Sequence, residues 1–310
     1  RRLGLRLRPM LHFPPGVGTR VRRLALAGVL TLVAQDASAA VVIVLSNRYG
    51  STGALVIYGF AWAVFMVPFA VLAVPIATSA FPALSAGADP RPDAADGGFD
   101  ETAAISTRAV MVASWLGAAV LVGARWPLAR VFESHDVPAA SVLALALAAF
   151  APGLVGYGIS ANLSRVLYAR GRNRATALAI GGGWLLVIAA DLVIVPFVAP
   201  RHVVPALGLG MSFGLTVSGL ALLILVRRDR GALALHGVWR AFLAGLAGAV
   251  AGGVAGSLLA GALEAPGFFV NVGTSVLVTV VVIAVFAAVA GSIDFGDLRA
   301  AVARLRARPS

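Results

Sequence analysis

The sequence predicts an all-α, polytopic membrane bundle of eight transmembrane helices with both termini cytoplasmic. Three observations carry this: eight long apolar segments, a scarcity of charge, and the placement of the charge that remains. Hydrophobic residues make up 60% of the 310 residues and charged residues only 12%, against about a quarter charged in soluble domains. The mean hydropathy is +0.93. In hydrocarbon a segment must satisfy its own backbone hydrogen bonds, so each long apolar run reads as a helix.

The segments are 24–46, 54–84, 103–124, 138–164, 175–199, 203–226, 238–263 and 268–290. Each exceeds the roughly 20 helical residues that cross a core of about 30 Å. The first is mostly apolar and carries Gln35 and Asp36 about halfway along it. The second is too long for an upright helix and contains Pro68 and Pro75. Each proline removes a backbone donor and crowds the preceding turn. Both are expected as hinge positions, since interrupted helices mark binding sites in transporters; the alternative is a tilted helix whose neighbours accommodate them. The third segment follows a loop from Ser85 to Glu101 that is rich in Asp, Pro and Gly and is expected to be mobile. The fourth ends in Asn162, Arg165, Tyr168, Arg170, Arg172 and Arg174, which read as side chains reaching to the interface. The fifth contains Asp191, and the sixth follows it closely. The seventh carries Gly245, Gly248, Gly252 and Gly256, a spacing that permits close helix contact, expected within the chain. The eighth carries no charge.

Every basic residue is arginine. With alternating spans, 21 of the 25 arginines fall on the side of the two termini and only Arg48, Arg125, Arg130 and Arg201 on the other, so the positive-inside rule places both termini in the cytoplasm. The net charge of +12 is thus a topology signal and implies no nucleic-acid partner. The organisation read from this is a basic interfacial linker over 1–23, six helices over 24–226, a further helical pair over 227–290 and a basic cytoplasmic tail over 291–310. The chain begins at Arg1 without a signal peptide and is expected to be a piece of a longer protein.

Asp36 and Asp191 are the clearest functional candidates. A charge at membrane depth costs at least ~2.5 kcal/mol even on insertion scales, so each carboxylate must be protonated, paired or bound to a cation. If the two converge they could hold a proton or a hard cation such as sodium; otherwise each is satisfied separately by backbone or a wet cavity. Arg165, Arg170 and Arg174 are candidate ligands for an anionic lipid headgroup or pyrophosphate, because guanidinium takes phosphate in bidentate fashion. No enzyme is expected. The chain lacks lysine and hence a GxxxxGK[ST] loop, shows no HExxH or GxSxG, and has no cysteine. Its four histidines lie in or beside loops without metal-ligand spacing.

Two motifs carry a family resemblance. The stretch PFAVLAVPIATSAFPALS, 68–85, resembles the P-x-G-V-L-x-V-A-x-x-T-x-x-x-P-x-L-S segment of the MurJ/MviN lipid II flippases, and LSRVLYARGRNR, 163–174, resembles their R-x-F-Y-A helix end. Their spacing and the eight spans are similar to helices seven to fourteen of that fourteen-helix family. The resemblance implies an alternating-access transporter of the multidrug/oligosaccharidyl-lipid/polysaccharide exporter superfamily in the bacterial inner membrane. Its substrate would be the undecaprenyl-pyrophosphate-linked peptidoglycan precursor, moved by ion or potential energy rather than ATP. Membrane lipids and cell-wall synthesis proteins are the other implied partners, and the last two spans would border a groove suited to a lipid tail. The positions of Asp36 and Asp191 correspond to helices where sodium-coupled members place ligands; no other cofactor is implied. The sequence departs from the family at Trp62 and Ala63, where members often have an Asp-Arg pair whose arginine reaches the cavity. That departure keeps open a non-transporting scaffold for cell-wall synthesis, or an exporter of another polyprenyl-linked glycan or of drugs.

Overall fold

The computed structural model describes residues 17–87, 97–133, 140–263 and 267–293. Among these the regular structure is entirely helical: α1 (Val17–Tyr49), α2 (Ala54–Pro68), a π-helical segment (Phe69–Ala73), α3 (Val74–Gly87), α4 (Gly97–Gly123), α5 (Arg125–Glu133), α6 (Ala140–Ala169), α7 (Asn173–Ile194), α8 (Val203–Arg230), α9 (Val238–Ala262) and α10 (Phe268–Ile293). Among the described residues seven spans are long and apolar enough to cross a membrane, the continuous Ala54–Gly87 counting as one. The remaining expected span, 24–46, lies within the 33-residue α1. The multi-pass all-α fold therefore agrees with the sequence.

Helix ends segregate to two faces. At one, Arg172 and Arg170, after α6, pair with Asp229 of α8, Arg230 pairs with Asp100 of α4, and Arg240 of α9 donates to the Ile293 carbonyl of α10. At the other, the Ser51 amide between α1 and α2 donates to the Pro200 carbonyl before α8, and Arg125 after α4 reaches Ser257 late in α9. Helices that alternate direction produce this separation; of the described arginines, Arg170, Arg172, Arg230 and Arg240 belong to the first set of contacts and Arg125 to the second.

The core is organised around α6, which packs most extensively on α8. Small residues make this possible. At the crossing, Gly153 donates its amide to Ser212 Oγ at 3.0 Å and Ser212 Oγ donates to the Ala149 carbonyl at 2.6 Å. In lipid, interhelical hydrogen bonds and close backbone approach replace the hydrophobic effect as the source of association. The seventh-span glycines act likewise within the chain: Gly245 receives Trp115 of α4, while Gly248 and Gly252 receive Phe286 and Val282 of α10.

Several boundaries differ from those read in the sequence. Residues 1–16, the acidic stretch 88–96 and the tail 294–310 lie outside the described residues, but α1 already begins at Val17, inside the segment read as a linker. Asp100 and Glu101 belong not to a mobile loop but to α4. Phe99 is only 2% exposed, and the Arg170 and Arg230 guanidiniums lie over its ring at 5.9 and 5.3 Å. One aromatic anchor thus pulls the end of the loop into the helix. The stretch after Ala124, read as loop, contains the short helix α5.

Candidate functional site

The proline-bearing span is one uninterrupted helix whose hydrogen-bond register slips between the two prolines. Pro75 has no amide to donate and its ring crowds the carbonyl four residues earlier, at Val71. The chain responds by widening into the π segment, where the Val74 amide reaches back to the Phe69 carbonyl; such bulges occur often at functional sites. Hydroxyls bond back onto the turn that follows: Thr78 Oγ1 donates to Val74 O at 2.8 Å and to Pro75 O at 3.1 Å, and Ser79 Oγ donates to Ile76 O at 2.9 Å, contacts of the kind that accompany bent helices. Pro68 packs against Gly117 of α4.

Beside the π segment lies an aromatic cluster. Phe69 faces Tyr157 of α6 with centroids 4.3 Å apart, Trp62 stacks on Phe65 at 5.3 Å, and both Trp62 and Phe65 lie within 6.5 Å of Phe150 and Tyr157. Trp62, where the resemblance would place an aspartate, is therefore part of this packing. Ala63, at the arginine's place, is exposed and offers no charge.

The two aspartates occupy different surroundings. On α1 the buried positions among the described side chains are Ala34, Ser38, Val42, Leu45 and Ser46, a helical stripe that packs toward α7 and α8; Asp36 stands off that stripe and is exposed. Asp191 is 0% exposed, enclosed between α7 and α8. A Cβ added to Gly210 of α8 would meet its Oδ1 at 1.9 Å, so this carboxylate fits only because residue 210 has no side chain. Among the described residues neither Asp191 oxygen has a hydrogen-bond partner. Tyr58 of α2 lies within electrostatic reach of it, which links the site to the aromatic cluster. Among the described residues no group of three or more His, Asp or Glu could cage a metal. The unpartnered oxygens of Asp191 nonetheless have the hard-donor chemistry that a proton or sodium ion takes.

The three headgroup candidates also separate. Arg165 is half-buried and donates through Nη1 to the Ala161 carbonyl one turn back. It lies with Tyr157, Ala161 and Tyr168 along a stripe of α6 that escapes full burial. Arg174 is exposed at the start of α7. Arg170 is engaged structurally, its Nε 3.5 Å from Asp229 and its guanidinium over Phe99.

Sequence reasoning placed Asn162 at the interface; it is instead fully buried. Its Nδ2 donates to Ser106 Oγ at 3.2 Å and Thr107 Oγ1 at 3.0 Å on α4. The Arg230–Asp100 pair was likewise missed. It is bidentate, at 2.7 and 3.0 Å, with both side chains 13% exposed. Asp100→Ala is expected to cost about 2 kcal/mol, between the values of exposed and buried pairs. The midpoint of thermal unfolding in detergent should fall accordingly, and less for Asp100→Asn, which keeps an acceptor. An unchanged midpoint for Asp100→Ala would show the pair to be energetically idle.

Residues 1–279 match the family model described as "Lipid II flippase MurJ". The fold is similar to that of a solved structure described as "Lipid II flippase MurJ, inward closed conformation", at 17% sequence identity and a TM-score of 0.61. The match covers 89% of this chain and 56% of that one, so the chain spans little more than half the length of the structure it resembles. No curated protein sequence matches it.

Proposed function

The chain belongs to the MurJ lipid II flippase family, and from that premise we propose that it supplies the carboxy-terminal half of a transporter that moves a polyprenyl-pyrophosphate-linked peptidoglycan precursor across the bacterial inner membrane. The observation that carries the reading is the family match over residues 1–279, joined to a bundle in which α1, α2 and α3 leave much of their described surface exposed. In this proposal those faces line a cavity shared with a second set of helices, and the arginine-rich helix ends face the cytoplasm.

Each candidate residue then has a role. Arg165 and Arg174 attract the anionic headgroup, at about 1 kcal/mol per basic residue near a charged surface. Arg170 holds the α6–α7 connection through Asp229. Asp36 on the exposed side of α1 and the enclosed Asp191 couple transport to a proton or sodium ion, with no ATP. The π segment between Pro68 and Pro75 supplies the hinge of alternating access, since a shifted register changes with fewer broken bonds than a regular ladder.

Trp62 and Ala63 favour a second reading, a scaffold that keeps the fold and recruits cell-wall synthesis proteins, because the aromatic packing leaves no cationic group at this point of the helix. Complementation separates the two. The full-length protein, expressed in a bacterium depleted of its flippase, is expected to restore growth and cell shape. A protein that reaches the membrane at matched levels and fails to rescue would sink the flippase reading and leave the scaffold.

A further inference from the structure

An apolar groove of about 600 Å³ runs between α4, α6 and α9, lined by Trp115, Ala118, Pro152, Ala249, Val250 and Val254 among others. It uses a different face of α9 from the one on which Gly248 and Gly252 receive α10, so it lies apart from the seam of the last two helices. Its α9 wall runs from Leu246 to Leu258, about 18 Å at 1.5 Å per residue. That is close to the ~15 Å of hydrocarbon in one leaflet, half of a typical core.

The polar end of the groove has one charged residue. Arg125 joins Ser257 in its lining, where α4 turns into α5. Its Nη1 donates to the Val122 carbonyl at 2.7 Å and to Ser257 Oγ at 2.9 Å. Ser257 Oγ is itself fixed by donating to the Gly253 carbonyl at 2.7 Å. These two bonds consume one nitrogen of the guanidinium, and no ion pair among the described residues involves it. The Nε and Nη2 edge remains, the planar fork that matches a phosphate in bidentate geometry.

We propose that this groove is a binding site for a membrane phospholipid, one acyl chain lying along α9 and the phosphate held by the free edge of Arg125. The anchored arginine gives the depth at which the headgroup must sit, and the length of the groove matches the chain beneath it. The site does not depend on the flippase reading.

The test is native mass spectrometry of the purified protein, delipidated in detergent and offered phosphatidylglycerol, phosphatidylcholine and a polyprenyl phosphate in equal amounts. Wild type is expected to retain one phospholipid per chain, phosphatidylglycerol in preference. Arg125→Gln should weaken retention about tenfold, the cost of one charge-assisted hydrogen-bond pair, and Arg125→Lys by less. Val254→Trp blocks the groove from its exposed rim and should abolish retention while leaving helicity and monodispersity unchanged. Undiminished retention in both Arg125→Gln and Val254→Trp overturns the proposal, as does displacement of phospholipid by polyprenyl phosphate, which would assign the groove to a substrate chain.

Discussion

Gly156→Leu is expected to prevent α6 and α8 from docking. An added Cβ at Gly156 would lie 2.5 Å from the Leu215 carbonyl oxygen and 2.6 Å from Thr216 Cα. Reciprocally, one at Gly219 would lie 3.2 Å from Gly156 Cα. The obstacles are backbone atoms of a packed helix, which cannot swing aside as a side chain can. Relief requires separating the two helices along their length, which also breaks the Ser212 bonds to Ala149 and Gly153. Overpacking alone costs about 1–3 kcal/mol, and the lost hydrogen bonds add about 0.6 kcal/mol each in a membrane. The expected result is loss of the monodisperse species in detergent, or a large fall in its unfolding midpoint. Gly182→Ala is the matched control: it lies on α7 with nothing within 4 Å of an added Cβ, and helix propensity favours alanine by up to about 1 kcal/mol. Similar outcomes for Gly156→Leu and Gly182→Ala would refute the backbone-contact account of this core.

The difference between those glycines marks what the sequence can and cannot disclose. A soluble helix writes its buried face as an apolar stripe, but in lipid both faces of a helix are apolar and the stripe vanishes. The spans are therefore plain in the sequence while their orientation about their own axes is not. That is why Asp36 and Asp191, equivalent as letters, end up exposed and enclosed respectively. Small residues keep some of the lost information: Gly245, Gly248 and Gly252 were legible as a contact surface and pack as one. Bonds between residues far apart, such as Arg230 with Asp100 or Asn162 with Thr107, leave no local trace. The motif around Pro68 and Pro75 pointed to an irregular helix, and the structure specifies the irregularity as a register slip over Phe69–Ala73.

Asp191→Asn is expected to abolish rescue by the full-length protein while raising its thermal stability, and the opposition of those two signs is what makes the substitution informative. A carboxylate that is wholly buried and has no hydrogen-bond partner does not stabilise the bundle. Ionised, it must meet a cation or bear the desolvation penalty of a lone charge, which amounts to several kcal/mol. A neutral amide of the same shape removes that charge penalty and leaves only the smaller cost of an unpaired buried polar group. Asparagine keeps the volume, so the tight fit against Gly210 is preserved. If Asp191 carries the coupling ion, the amide cannot take up a proton at this pH range and is a weaker cation ligand, so transport stops although the bundle is intact. Asp36→Asn, on the exposed side of α1, should leave stability near wild type while lowering rescue. If Asp191→Asn rescues as well as wild type, the ion-coupling role is wrong. If it fails to rescue and also unfolds earlier, the carboxylate is structural, satisfied by the set of helices that faces this half in the assembled transporter.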